Sequence, residues 1–182
     1  HGDVMMGVIV GNKYIIRRTR QFLALFGANG NPLESWLASR GLRTLPLRMK
    51  HVSQTAMTLA EWLDSHPKVD RVYYPGLPNH PSHKIAERLL PHGFGGMLAF
   101  DLTKGKAGVN PFMKSLHATI PFSPTLADAR TTLSYPTGTS HKFMSAEERA
   151  EYGIGDGLVR LSMGLEDAES LQRELESAFN QL

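Results

Sequence analysis

At 182 residues, with 41% hydrophobic and 20% charged side chains, the chain is long enough for one full core and too ordinary in composition for disorder or low complexity. It has no cysteine, which excludes a disulfide framework and thiolate metal sites and is compatible with a reducing, cytoplasmic setting. The net charge of +3 is dispersed among acids with no aromatic-interleaved basic stripe, and no apolar run approaches the roughly 20 residues of a bilayer span, so neither nucleic acid nor membrane is an expected partner.

The opening run "DVMMGVIVGN" is rich in β-formers and ends in Gly-Asn, which predicts a strand and turn; with the residues after it, it is not built like a signal peptide. "KYIIRRTRQFLALFG" reads as a helix stopped by Gly27, and "GANGNP" as turn chemistry. From Pro32 a long helical pattern runs through Leu33, Trp36, Leu37 and Leu42, then Val52, Ala56, Leu59, Ala60 and Leu63, with Pro46 marking a kink or local break. "VDRVYYPG" is a strand closed by Pro75-Gly76, "SHKIAERLL" a helix, "GGMLAFDL" an alternating strand and "VNPFMKSLH" a short helix. Three further strands follow, "ATIPF", "TTLSYP" and "LVRLSMG". The amphipathic helix "EDAESLQRELESAF" then sets Leu171, Leu175 and Ala178 or Phe179 on one face. These lengths and alternations predict an α/β sandwich, a mixed or antiparallel sheet covered by helices on one side. The predicted boundary lies near residue 46, with 1–45 the tail of a larger domain and 46–182 a small domain.

Two features suggest chemistry. In "GDGLVRLSMGLED" a strand period sets Val159 and Leu161 on one face and Leu158, Arg160 and Ser162 on the other. Arg160 is either on a solvated face or directed into a cleft, where its planar fork of donors matches a carboxylate at two points. His80 and His83 in "NHPSHKIAE" have metal-like spacing but no third ligand nearby, so a loop entering a helix capped by Ser82 is the better explanation.

Read in order, several stretches resemble the pyridoxal phosphate (PLP) enzymes of cysteine and methionine metabolism: cystathionine γ-synthases and lyases, methionine γ-lyases and homoserine sulfhydrylases. "HGDVMMGVIV" is similar to the family's His-Ser-Asp-Val segment and "NPLESWLASRGLRTLPLRM" to its Arg-Gly-Leu-x-Thr-Leu helix; "HPKVDRVYYPGLPNHPSHKIA", "GFGGMLAFDL" and "GDGLVRLSMGLED" follow in family order. The resemblance implies the C-terminal small domain of an aspartate-aminotransferase-like (fold type I) enzyme, with PLP as cofactor and a small amino acid as substrate. It also implies a cytoplasmic homotetramer built as a dimer of dimers. The family's Schiff-base lysine lies a few residues before the His-Ser-Asp-Val segment, whose histidine is matched by His1, so the resemblance sets that lysine just upstream of His1. None of the eight lysines here, Lys13 included, is in its context, and no catalytic residue is expected in this chain.

By the same resemblance, Arg160 is the clamp on the substrate's α-carboxylate. Thr125, Leu126 and Ala127 stand where the family has the Ser-Leu-Gly that helps hold it. Pro124 replaces the glutamate that some cystathionine enzymes carry, and Asp128-Ala129 is similar to the version in methionine γ-lyases and sulfhydrylases. A surface turn is the plain alternative for "SPTLAD". Tyr135-Pro136 and Ser140-His141 depart from the family's His-Pro and Thr-His; His141 is expected to pack and hydrogen-bond beneath the site rather than act as acid or base, and Arg40 and Arg43 to form fold-stabilising or inter-domain ion pairs rather than take part in catalysis. The expected activity is elimination or replacement at the γ (or β) carbon of sulfur amino acids or O-acylhomoserine, as in cystathionine γ-synthases and lyases. Methionine γ-lyase or homoserine sulfhydrylase activity is the alternative. The rival reading makes the isolated chain a non-catalytic fold or assembly module.

Overall fold

A computed structural model describes residues 1–116 and 118–182 and divides the chain into two compact units, one of His1 with Asp3–Pro46 and the other of Gly2 with Leu47–Leu182. In the first, Asn12 caps helix α1 (Lys13–Phe26) by accepting the Ile15 amide at 2.9 Å. Gly27, at φ 70°, closes it and donates to the Leu23 carbonyl. Asn31 likewise caps α2 (Pro32–Leu42), whose first residue is the proline that suits that position. No residue of α1 or α2 is buried. The expected strand over "DVMMGVIVGN" is absent: residues 1–12 are irregular, with Met5 87% and Val10 89% exposed. β-propensity expresses packing on a neighbouring strand, and no such neighbour exists for this run among the described residues.

The helical pattern from Pro32 breaks at Arg43–Thr44, just ahead of Pro46, and resumes as α3 (Leu45–Asp64). The rest of the second unit comprises β1 (Val69–Tyr73), α4 (His83–Leu89), β2 (Met97–Leu102), α5 (Lys106–Leu116), β3 (Thr132–Ser134), α6 (Ala146–Glu151), β4 (Leu158–Ser162) and α7 (Ala168–Phe179). The four strands form one sheet in the order β1-β2-β4-β3, every neighbour antiparallel. One face of it carries Leu98, Phe100, Leu133, Val159 and Leu161, which share a single core with Ala56, Leu59 and Leu63 of α3, Val109 and Phe112 of α5, and Leu171, Leu175 and Phe179 of α7. Each such side chain removed from water contributes about 1.5–3 kcal/mol, which is what holds three helices on one side of the sheet. The opposite face is turned away from these core helices, and there the alternation sets Met97, Ala99 and Asp101 of β2 beside Leu158, Arg160 and Ser162 of β4.

Three local expectations are corrected. "ATIPF" forms no strand: Phe122 makes an isolated parallel bridge to Leu133, and Pro121 before it has no N–H with which to extend the ladder. Ser82 precedes α4 without a side-chain cap, its own amide instead donating to His80 Nδ1 at 3.2 Å. Helix α5 starts at Lys106 rather than Val109, so Pro111 lies inside it; burial of Val109, Phe112 and Leu116 on one face outweighs the lost amide. The end of that predicted helix, His117, lies outside the described residues.

Candidate substrate-anchoring site

Strand β4 lies between β2 and β3, and it is buried along its length except at Arg160. The register pairs Arg160 with Ala99 on one side and Ser134 on the other. Val159 and Leu161 face the core, so Arg160 projects from the face opposite the helices of that core. Its two register partners are small and leave room around the guanidinium. Among the described residues no side-chain hydrogen bond or ion pair engages it. Fixed by its strand and half-buried, it offers a planar set of donors to an incoming anion.

The segment 123–128 is tied to the same sheet face. Ser123 Oγ and Thr125 Oγ1 lie 2.9 Å apart, and Ser123 Oγ also accepts the Thr125 amide at 3.3 Å. Thr132 Oγ1 donates to the Thr125 carbonyl at 3.2 Å, and the Ala127 amide donates to Ser162 Oγ at 2.9 Å. Just beyond, Glu166 accepts from the Thr131 amide at 2.8 Å and hydroxyl at 2.7 Å, while Thr131 Oγ1 accepts the Gly164 amide at 2.9 Å. Gly164 must be glycine for this approach, since a Cβ there would come 2.3 Å from the Thr131 nitrogen. The structure therefore brings Thr125, Leu126 and Ala127 to Arg160's own strand β4 and its neighbour β3. The Leu126 side chain, 49% exposed, lines an apolar cavity of about 250 Å³ with Met49, Val52, Met97 and Met163.

A second cluster on this face was not singled out from the sequence. Tyr73 donates to Asp101 Oδ2 at 2.8 Å, while Asp101 Oδ1 is buried without a partner. Burial pushes the Asp101 carboxyl above its usual range, opposed by the Tyr73 hydrogen bond, and burial together with that same bond pushes the Tyr73 hydroxyl up to about 12. Arg149 of α6 pairs with Asp156 at 2.8 Å and donates to the Met144 carbonyl, leaving its buried Nε without a partner. Tyr73, Asp101, Arg149 and Asp156 line one cavity of about 380 Å³. Alternation alone places Asp101 on Ala99's face; its pairing with a tyrosine 28 residues earlier follows only from the β1–β2 register.

The remaining expected residues divide. His1 is exposed and lies in the irregular run 1–12, where the expected strand does not form. His141 Nδ1 lies 2.8 Å from Ser140 Oγ and its amide donates to the Pro136 carbonyl. Tyr135 donates to the Asp156 carbonyl at 3.0 Å. Arg40 and Arg43 form no ion pair among the described residues; Arg40 lies over the Trp36 ring at 5.9 Å, which its place one turn away on α2 dictates. His83 Nδ1 lies 2.9 Å from the Pro75 carbonyl oxygen, and no group of three potential metal ligands occurs among the described residues.

The chain is similar to known proteins. The chain is 38% identical to an O-succinylhomoserine sulfhydrylase of Pseudomonas aeruginosa over 96% of its own length and 43% of that protein's. It is 37% identical to an L-methionine gamma-lyase of Porphyromonas gingivalis, over 100% of its length and 46% of that protein's. Among solved structures, a cystathionine gamma synthase from Xanthomonas oryzae pv. oryzae, in complex with aminoacrylate and cysteine, superimposes with a TM-score of 0.83 at 36% identity, covering 94% of this chain and 45% of that one. The chain thus spans less than half the length of the relatives it matches. Residues 1–180 match the sequence model for Cys/Met metabolism PLP-dependent enzymes, and the chain belongs to that family.

Proposed function

We propose that this chain supplies the substrate-anchoring C-terminal part of a PLP-dependent enzyme that eliminates or replaces the γ (or β) substituent of a sulfur amino acid or an O-acylhomoserine. In this reading residues 1–45 belong to the cofactor domain, with the Schiff-base lysine just upstream of His1, and 46–182 form the small domain. The observation that carries it is Arg160: an arginine fixed at the middle of the sheet, on the face turned away from the core helices, between two small partners. Gripping the α-carboxylate at two points fixes the substrate's Cα before any bond changes, converting binding energy into orientation. The Thr125–Ala127 segment, held to the neighbouring strand positions by its Thr125 carbonyl and Ala127 amide, closes over the same anion.

PLP, when bound, supplies the electron sink for chemistry at the substrate's Cα. The residues here fit the substrate and not the cofactor's aldehyde. No strand of the sheet contains a lysine, and Lys68 and Lys104 are committed to the Phe179 and Leu182 carbonyls. That same observation favours a second reading for the chain by itself, as a non-catalytic fold or assembly module. Subunit pairing in a cytoplasmic homo-oligomer belongs to the proposal too; no helix among the described residues is long and apolar enough to cross a membrane.

The test is Arg160→Ala and Arg160→Lys in the whole enzyme carrying this chain. The alanine variant is expected to lower kcat/KM by about 100-fold or more, with the lysine variant between, while the cofactor's absorbance stays normal. Kinetics unchanged in Arg160→Ala overturn the reading. A panel of O-succinylhomoserine, cystathionine and methionine then identifies the substrate.

A further inference from the structure

Between Arg160 and the Thr125–Ala127 segment stand two buried hydroxyls. Thr132 of β3 and Ser162 of β4 are register partners, each 4% exposed, with their side chains on the Arg160 face. One donates to the Thr125 carbonyl at 3.2 Å and the other accepts the Ala127 amide at 2.9 Å, so the two bonds bracket Leu126. Ala127 itself has φ 60°, the one non-glycine residue with positive φ among those described. An alanine adopts that left-handed conformation only where its surroundings hold it there. The amide that the conformation turns toward the sheet is the one Ser162 receives.

We infer that Ser162 is a positioning residue: its hydroxyl holds Ala127 in the left-handed conformation and so fixes the Thr125–Ala127 backbone at a set place over the sheet. Arg160 projects from the same strand face two residues earlier, so arginine and segment are held by one strand and face one anion in fixed relation. Thr132 secures the other end of the segment. The ligand this serves is a small molecule bearing a carboxylate, and to that extent the inference rests on the proposed role of Arg160. Without the Ser162 oxygen, the Ala127 amide loses its acceptor and alanine relaxes toward negative φ, carrying the backbone on both sides of it away from the clamp.

Two measurements test this. Amide hydrogen exchange on the full chain should show Ala127 protected in the wild type, at least tenfold less so in Ser162→Ala, and protected again in Ser162→Thr, which keeps the hydroxyl on a strand-compatible side chain. In the whole enzyme, Ser162→Ala should raise KM for the amino-acid substrate on the order of tenfold, with kcat changed less than twofold. Ala127→Gly added to it should recover part of the loss, because glycine holds positive φ without help. Thr132→Val, nearly isosteric, gives a second route should Ser162→Ala fold poorly: it should raise KM in the same direction. Equal Ala127 exchange in wild type and Ser162→Ala overturns the inference. So does a KM unmoved by Ser162→Ala when Arg160→Ala raises it, and the clamp reading then survives. If Arg160→Ala leaves KM unmoved, the clamp reading falls, and the Ala127 exchange rates alone decide whether Ser162 positions the segment.

Discussion

Asp101 shows how much a single side chain can depend on register. Its Oδ2 accepts from Tyr73, its Oδ1 is buried with no partner, and its carboxyl is pushed above the usual range chiefly by burial. A raised folded value means folding favours the protonated acid: the stability from this group is fully present below the ordinary carboxyl value of about 3.9 and is lost as pH rises through the folded value. Asp101→Asn, which can still accept from Tyr73 through its amide oxygen, removes that dependence. We expect the melting temperature of Asp101→Asn, relative to wild type, to climb between about pH 3.5 and 7; a constant difference across that range would show that the buried charge costs nothing. Sequence legibility at this scale was uneven for the same reason. Alternation placed Arg160 opposite Val159 and Leu161, yet a period of two cannot say whether the second face meets solvent or a cleft. The contacts of Asp101 with Tyr73 and of Ala127 with Ser162 join residues 28 and 35 positions apart, and no local pattern encodes them.

At the scale of elements, apolar periodicity was the reliable signal. Helix α7 forms as its Leu171, Leu175 and Phe179 spacing requires, and Phe179 fills the centre of the layer, with ring centroids 4.8 Å from Phe112 and 6.0 Å from Phe100. Truncating it leaves a cavity between sheet and helices that neighbouring rings cannot close. Phe179→Ala should therefore cost about 3–5 kcal/mol, measured as a lower urea midpoint with an unchanged slope. Elements with little apolar periodicity escaped. Helix α6 is six residues with none buried, so its one sequence signature was the capping box of Ser145 and Glu148, whose reciprocal bonds are both present. Failure in the other direction came from β-branched runs: "DVMMGVIV" and "ATIPF" have strand composition, but a strand is stabilised across its neighbours and composition cannot supply one.

For the molecule as a whole, the two units differ in what holds them. Every member of the hydrophobic core lies at or beyond Val52, while α1 and α2 bury nothing and leave Phe22, Leu25, Phe26, Leu33 and Trp36 exposed. Ordering a residue's backbone costs about 1–2 kcal/mol, and a helix of 14 residues without tertiary burial is marginal in water, caps notwithstanding. The second unit meets that cost from its own sheet and three helices; the first has no comparable source among its described residues. This asymmetry agrees with the proposed division, in which 1–45 belongs to a larger domain and the chain spans less than half of its relatives' length. It also makes a definite claim about unfolding. Removing residues 1–44 should leave the cooperative thermal transition of residues 45–182 within about 3 °C of the full chain's, because none of the core is lost. Limited trypsin treatment of the full chain should cut first at Arg17, Arg18 or Arg20 on α1, well before the sheet strands. A truncated chain that melts far lower, or that has lost its cooperative transition, would mean that the core of residues 52–182 is not self-sufficient.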